Sequence, residues 1–486
     1  MQREFLLNLL LLVLINLLVK PFFIFGIDLG AQNRLPPGDY GLYFALLNFA
    51  YLFQIISDFG LQSFNNRHVS QHPQLVGKYL PVLFSLKVLL SLLYLLVAVV
   101  AAAWVAGYEG RAVRLLLILL LNQVLVQGVL FLRSNLSGLG YYRLDSVLSS
   151  LDKLLMLLTC GVLLWFLPPY FLSVESFAWA QTLALGATLA VVGAVLRSKT
   201  RVRLRLPQPA DRRWRSTLAV LFRESFPYAL VILLMSAYTR LDAVLLERLL
   251  PDGRLHADVY AAAYRLLDAA NMLGYLFASL LLPMFARMLA RQEDVRPLTG
   301  LGLRLIWAGA VALAALVFFA RADLLQWMMP TRANAYRWDV LGLLIWAFVP
   351  MGVTHIFSTL LTADGRLLTM SRFFAIGLAM DVALNLWLIP RHQALGAAAA
   401  AVCTQLFVAG AMVVLCWQRF RWRLSWRQGW PLAAYGMAIV SVGAWIFTRW
   451  PENAWLKILA FSAVAISAAA VLGLLPLKGL VFLGKK

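Results

Sequence analysis

Apolar residues run along this chain in long blocks, separated by short stretches that hold most of the charge. A block of about 20 apolar residues, wound as a helix, crosses the roughly 30 Å hydrocarbon layer of a bilayer. The pattern predicts fourteen spans, at 5–27, 41–63, 79–106, 113–135, 144–167, 176–196, 222–246, 257–283, 301–320, 338–362, 368–390, 395–417, 430–448 and 455–477. Only helices and closed barrels satisfy their backbone groups in lipid, and these blocks are too long and uniform for barrel strands. The expected fold class is all-α, a polytopic integral membrane protein. The first run, MQREFLLNLLLLVLINLLVK, has a short charged start and no small-residue cleavage site after it, so it reads as a retained span rather than a signal peptide.

Composition agrees. The 486 residues are 62% apolar and 13% charged, against about 25% charged in soluble domains. Every loop is short, which leaves no room for a soluble catalytic domain between spans. The formal net charge of +21 needs no nucleic-acid partner, because the basic residues have a topological reading. The stretch 197–215, RSKTRVRLRLPQPADRRWR, carries eight basic residues against the single acid Asp211. Pro207 and Pro209 keep it from forming one helix. Such a run between apolar blocks reads as a cytoplasmic loop near anionic lipid. With the N-terminus inside, inner loops carry 26 of the 43 basic residues and outer loops 11. Both termini are therefore expected in the cytoplasm. The stretch 419–430, RFRWRLSWRQGW, places Trp422, Trp426 and Trp430 every fourth residue, on one side of a helix, as an anchor at the inner membrane interface.

Topology leaves some charges unexplained. Lys20, Lys87, Lys153, Arg240 and Arg265 fall inside spans, where a cation costs about 2.5–3.5 kcal/mol at a helix centre. Arg265 has Asp268 three residues on, so an internal ion pair can neutralise it. Asp152 is adjacent to Lys153, and adjacent positions do not share a helix face. Lys20, with Asn16 and Asn8, forms a polar stripe on the first span. Lys20, Lys87 and Arg240 either snorkel, pair with an acid on another span, or line a polar cavity. Uncharged stripes join them: Gln123, Gln127 and Ser134; His355, Ser358, Thr359 and Thr362; Asp381 and Asn385. Each can hold helices together; as a set they suggest a polar interior.

Several familiar chemistries have no motif here. There is no GxxxxGK(S/T), HExxH, CxxC or nucleophile elbow, and Cys160, Cys403 and Cys416 have no metal spacing. No cofactor, metal site or catalytic residue is expected.

Other stretches resemble the polysaccharide flippase family, the exporters of undecaprenyl-linked saccharides such as O-antigen units. They lie within the multidrug/oligosaccharidyl-lipid/polysaccharide superfamily. The resemblance is carried by Leu29-Gly30, by Pro36 to Tyr43 (PPGDYGLY) and by Asp58-Phe59-Gly60-Leu61. It continues at Arg240-Leu241-Asp242, Tyr260 to Leu266 (YAAAYRL), Asn385 to Pro390 (NLWLIP) and Gly396 to Ala400. Asp39-Tyr40 after the first span is echoed by Asp258-Val259-Tyr260 after the seventh, an internal repeat.

The resemblance implies a two-lobed transporter: lobe 1–196, cytoplasmic linker 197–221, lobe 222–417, and an Arg/Trp segment with two extra spans at 418–486. It implies a bacterial inner-membrane protein that flips a polyprenyl-pyrophosphate-linked saccharide outward for surface polysaccharide, including lipopolysaccharide, synthesis. Lys20, Lys87, Lys153, Arg240 and Arg265 would meet the pyrophosphate in a central cavity, and Asp58 or Asp152 would serve any coupled ion. Expected partners are the lipid-linked substrate, membrane lipids and other polysaccharide assembly proteins. Two rival readings are a proton- or sodium-coupled drug antiporter, with Asp58, Asp152 and Asp381 as its carboxylates, and a polytopic saccharide polymerase or ligase.

Overall fold

The computed structural model describes residues 19, 22–62, 65, 69, 76–200, 212–422, 426–449 and 453–475. Every regular element among them is helical. By packing, the chain divides into two units, Met1–Asp258 and Val259–Lys486.

In the first unit a π-helical turn, Phe23–Asp28, leads into α1 Leu29–Arg34. Then come α2 Pro37–Leu52, α3 Gln54–Asp58, α4 Val76–Trp104, α5 Arg111–Gly138, α6 Tyr142–Gly161, α7 Val174–Thr200 and α8 Arg212–Leu249. The next helix, α9 Gly253–Ala290, runs through the division. The second unit continues with α10 Arg296–Phe319, α11 Arg321–Met328, α12 Ala335–Leu344, α13 Phe348–Ala363, α14 Leu367–Phe420, α15 Trp426–Arg449 and α16 Ala454–Val471.

Eleven helical stretches among the described residues are long and apolar enough to cross a membrane. Three local features separate this number from the expected fourteen. Most of span 5–27 lies outside the described residues. Span 41–63 is not one helix: it breaks at Phe53 and stops where Phe59 (φ 45°) and Gly60 (φ 81°) take left-handed backbone. Lastly, α14 is a single stretch that folds back at Gln393 (φ 54°, ψ −130°). The Ala394 N–H freed at that corner donates to the Tyr336 hydroxyl on α12 at 2.9 Å. Thr404 then donates to Asp381 at 3.2 Å, and Gly377 packs on Val408, so the two arms lie face to face.

The basic stretch lies mostly outside the described residues; its flanks Arg197–Thr200 and Arg212–Arg215 are helical. The Trp422–Trp430 stripe is corrected. Arg421 (φ 51°) ends α14 in a left-handed residue, with its N–H and that of Trp422 both bonded to Trp417 O. The three tryptophans therefore do not share one helix, because this C-cap consumes the turn that would have aligned them.

In the first unit a core of Leu83, Leu86, Leu90, Val129, Leu132 and Val192 joins α4, α5 and α7. At one end, Arg111 ties three helix starts: it forks onto Asp39 of α2 (2.9 and 3.0 Å) and onto Glu175 of α7 (2.6 and 3.0 Å). Both acids stand in first turns, where the helix dipole favours them. Gln32 donates to the Asp258 carbonyl and carboxylate at 2.8 and 2.9 Å. Gly41 of α2 packs directly on the Arg254 carbonyl, and an added Cβ would also stand 2.9 Å from Asp258 N. Gly41→Val is expected to destabilise by at least about 1–3 kcal/mol, the overpacking range. A thermal melt in detergent unchanged from wild type would show that this contact does not hold.

In the second unit α15 and α16 pack on α10 through Tyr435, Ile439 and Phe461 against Ala308, Val311 and Ala315. The small residues admit close approach. The Trp307 indole N–H donates to Leu432 O at 3.1 Å, and the Tyr435 hydroxyl to Ala308 O at 3.2 Å.

Candidate functional site

The break at Phe53 organises the polar interior of the first unit. A helix leaves its last four carbonyls without intrahelical partners, and in lipid no water replaces them. Here neighbouring helices do: the Tyr94 hydroxyl of α4 donates to Ala50 O at 3.0 Å, and the Ser236 hydroxyl of α8 to Tyr51 O at 3.2 Å. The side chains along the same two short helices then collect the cations. Asn48, buried, gives its N–H to Phe44 O at 2.8 Å, which turns its carbonyl oxygen toward Arg240; Arg240 donates to it at 3.3 Å. The Arg240 guanidinium lies over the Tyr51 ring, 5.0 Å from its centroid, a stabilising cation–π position. Gln54 donates to Gln123 at 3.3 Å.

At the end of α3 lies the tightest of these arrangements. Lys87 of α4 is 4% exposed. Its ammonium donates to Ser57 O at 2.8 Å and to the Asp58 carboxylate at 3.2 Å. A cation suits this place twice over, since a helix C-terminus presents unpaired carbonyls and the carboxylate cancels the charge. Of the alternatives that position alone leaves open for Lys87, the structure shows pairing with an acid on another helix.

The other expected residues are placed differently. Lys153 folds back on Asp152 at 3.5 Å and lies 4.7 Å from the Phe23 ring centroid. The expectation that these neighbours do not meet is corrected: the long, flexible lysine stem spans the angle between adjacent positions. Arg265 belongs to the second unit and is buried at 7% exposure. Lys20 lies outside the described residues. Lys87 and Arg240 thus share the α2–α3 surface, and Lys153 stands apart from it, against the π-helical turn.

In the second unit His355 is buried, with its Nε2 2.8 Å from the Asn271 side-chain oxygen and its ring 4.8 Å from that of Tyr275. It sits directly on Gly274. Thr359 and Thr362 turn inward, bonding carbonyls of their own helix at 2.5 and 2.7 Å. Asn385 donates to Asp381 O at 2.9 Å.

Sequence reading missed Asn48, Tyr51 and Gln54 as partners. Their spacing with Ser57 and Asp58 is a polar recurrence every three residues through an apolar block, a signal the charges drew attention from. It also missed Glu247, a buried carboxylate near Arg254 (3.5 Å) and Arg248 (3.7 Å). Arg248 lies over Tyr108, 4.1 Å from its centroid. Burial, and then the Glu247 charge, push the Tyr108 phenol well above its ordinary ionisation range, so it stays a hydrogen-bond donor.

This arrangement, eleven membrane-length apolar stretches among the described residues with Lys87 buried and Arg240 part-buried on a polar stripe, defines an all-helical multi-pass membrane protein. Among solved structures the chain is similar to the lipid II flippase MurJ in an inward closed conformation, with a TM-score of 0.73 and 12% identity over 97% of this chain and 100% of that one. It is also similar to an inward-facing multidrug resistance MATE family transporter of the MOP superfamily (TM-score 0.64, 14% identity, 82% of this chain, 94% of that one). A variant of the Vibrio cholerae MATE transporter VcmN matches with TM-score 0.58 and 15% identity, over 85% of this chain and 95% of that one. No curated protein sequence matches. The polysaccharide biosynthesis protein family matches residues 6–289, and the chain belongs to that family.

Proposed function

We propose that the protein flips a polyprenyl-pyrophosphate-linked saccharide from the cytoplasmic to the outer leaflet of the bacterial inner membrane, for assembly of a surface polysaccharide. The lobes are 1–196 and 222–417, joined by the cytoplasmic linker 197–221, with 418–486 as an appendage. The supporting observation is that this chain, a member of a polysaccharide biosynthesis family with a flippase-like fold, carries two cations on one polar stripe, Lys87 and Arg240. A sugar headgroup cannot cross hydrocarbon bare, since each unsatisfied hydroxyl costs about 2–7 kcal/mol. The stripe offers amides, hydroxyls and carbonyls in place of water.

An ammonium has three donors, and two of Lys87's are spent on Ser57 and Asp58. The third is left for a phosphate oxygen, in a state where α3 or α4 moves aside. Lys20, Lys153 and Arg265 complete the proposed cationic set. Rocking of one lobe against the other supplies alternating access.

The MATE likeness favours one second reading, a cation-coupled antiporter with Asp58 or Asp152 as the ion site. Both carboxylates already face a lysine, which weighs against it.

Purified protein in liposomes is expected to move a labelled lipid-linked saccharide across the bilayer without lengthening it. Transport of hydrophobic cations with no movement of the lipid-linked sugar would overturn the reading in favour of the antiporter. Topology is tested separately: a reporter fused after Arg205, and others at each terminus, are expected to report the cytoplasm. A periplasmic signal from the Arg205 fusion would reverse the proposed orientation.

A further inference from the structure

At the end of the second unit that carries the 291–295 turn, a cavity of about 510 Å³ opens between α10, α13, the last turns of α14 and the start of α15. None of the residues assigned to transport lines it. Along α10, Arg296, Gly300, Leu303, Arg304 and Trp307 all face it, at spacings that share one side of a helix. Arg296 to Trp307 is three turns, roughly 16 Å, about the depth of one leaflet of a 30 Å hydrocarbon layer. The charge sits toward the mouth, and Leu303, Trp307, Phe357 and Trp417 supply the apolar wall. Trp307 spends its N–H on Leu432 O and so offers the cavity only its ring.

Arg304 lies two turns inside an apolar helix. It is exposed and has no acidic partner among the described residues. Helical side chains point toward the N-terminus, so its guanidinium reaches back toward Arg296. The nearby acid, Asp294, is itself exposed, stands 3.8 Å from the Arg296 guanidinium, and already accepts the Arg296 backbone N–H at 3.0 Å. Between the two arginines is Gly300, where an added Cβ would meet nothing within 4 Å. Two arginines, two turns apart on one helix face, thus line the cavity on either side of an open glycine, and guanidiniums are suited to a phosphate. The neutral hydroxyl in the wall, Thr299, is bonded to Val295 O of its own helix, which leaves little for the hydroxyls of a saccharide.

We propose that this cavity holds one anionic phospholipid of the adjoining leaflet. Its phosphate lies between Arg296 and Arg304, and one acyl chain runs along Leu303, Trp307 and Phe357. The site is separate from the transport path, and its occupancy steadies the packing of α15 on α10.

The test is native mass spectrometry of the full chain in detergent, titrated with phosphatidylglycerol, phosphatidylcholine and a polyprenyl phosphate. Wild type is expected to retain one phosphatidylglycerol at least tenfold more strongly than phosphatidylcholine. Gly300→Trp puts an indole into the gap between the two arginines from a position where a Cβ meets nothing within 4 Å, and Arg304→Gln removes the charge; each is expected to lower that retention about tenfold, with Arg304→Lys intermediate. Circular dichroism and gel filtration check that the variants fold. Equal retention of both phospholipids, or retention unchanged in folded Gly300→Trp, means that Arg304 only snorkels to bulk lipid and overturns the proposal. Polyprenyl phosphate displacing phosphatidylglycerol in wild type but not binding Gly300→Trp would assign the cavity to the carrier lipid and also overturn it. None of these outcomes depends on transport.

Discussion

Lys87→Met is expected to abolish translocation of the lipid-linked headgroup and to lower stability by about 3–5 kcal/mol, the usual result of stranding one member of a buried ion pair. The effect falls toward the lower figure because Asp58 keeps 17% side-chain exposure. The stability loss comes from Asp58, which would face apolar surroundings with no counter-charge, and from Ser57 O, which would lose its donor. A second variant separates fold from function. In Lys87→Met/Asp58→Asn the stranded charge is gone, so the melting temperature recovers by most of the loss. If Lys87 meets the pyrophosphate, transport stays absent in this double variant. Recovery of transport together with stability would make the pair purely structural and remove Lys87 from the substrate site.

Transport is expected to follow the membrane potential. A pyrophosphate headgroup is anionic, and a cytoplasm-negative potential drives anions outward. The gain is about 2.3 kcal/mol for each net charge moved per 100 mV, roughly a fifty-fold change in the distribution between leaflets. Cations that stay in the protein lessen the moving charge without removing it from the cycle. With no nucleotide-binding motif in the chain, the rate should survive nucleotide depletion while the potential is held. The measurement is headgroup accessibility in proteoliposomes under an imposed potassium diffusion potential. A rate that stays flat from zero to about 100 mV, and is also indifferent to opposing pH or sodium gradients, would leave only the substrate's own concentration gradient as the driving force.

Membrane class and helical fold were legible along the chain because both follow from local quantities. The hydrocarbon layer sets a length, and the backbone must satisfy itself within it. The blocks 113–135 and 301–320 can therefore be read off and found again in α5 and α10. The family was legible for a related reason: short ordered stretches such as PPGDYGLY carry close-packing constraints, as Gly41 against the Arg254 carbonyl shows. The cost of placing Lys87, Arg240 and Arg265 inside apolar spans could also be assigned from position alone.

Their partners could not. Lys87 has no acid within a helical turn of itself; its counter-charge is Asp58, 29 residues earlier. That pairing exists because Phe53 breaks the second span, and because Phe59 and Gly60 turn α3 so that its carbonyl end meets α4. A helix broken by a left-handed residue looks, as a string of apolar letters, the same as a straight one. The same holds for Gln393, which folds α14 back on itself, and for Arg421, which ends the α14 helix and leaves Trp422 off the helix that carries Trp426 and Trp430. Arg304 falls within the apolar block 301–320, and only the packing of α13, α14 and α15 around α10 placed it beside a cavity. Hydrophobicity is a property of each residue and its neighbours in the chain; which polar atoms meet is decided by backbone breaks and by helices packed from distant segments, and those contacts exist only once the chain has folded.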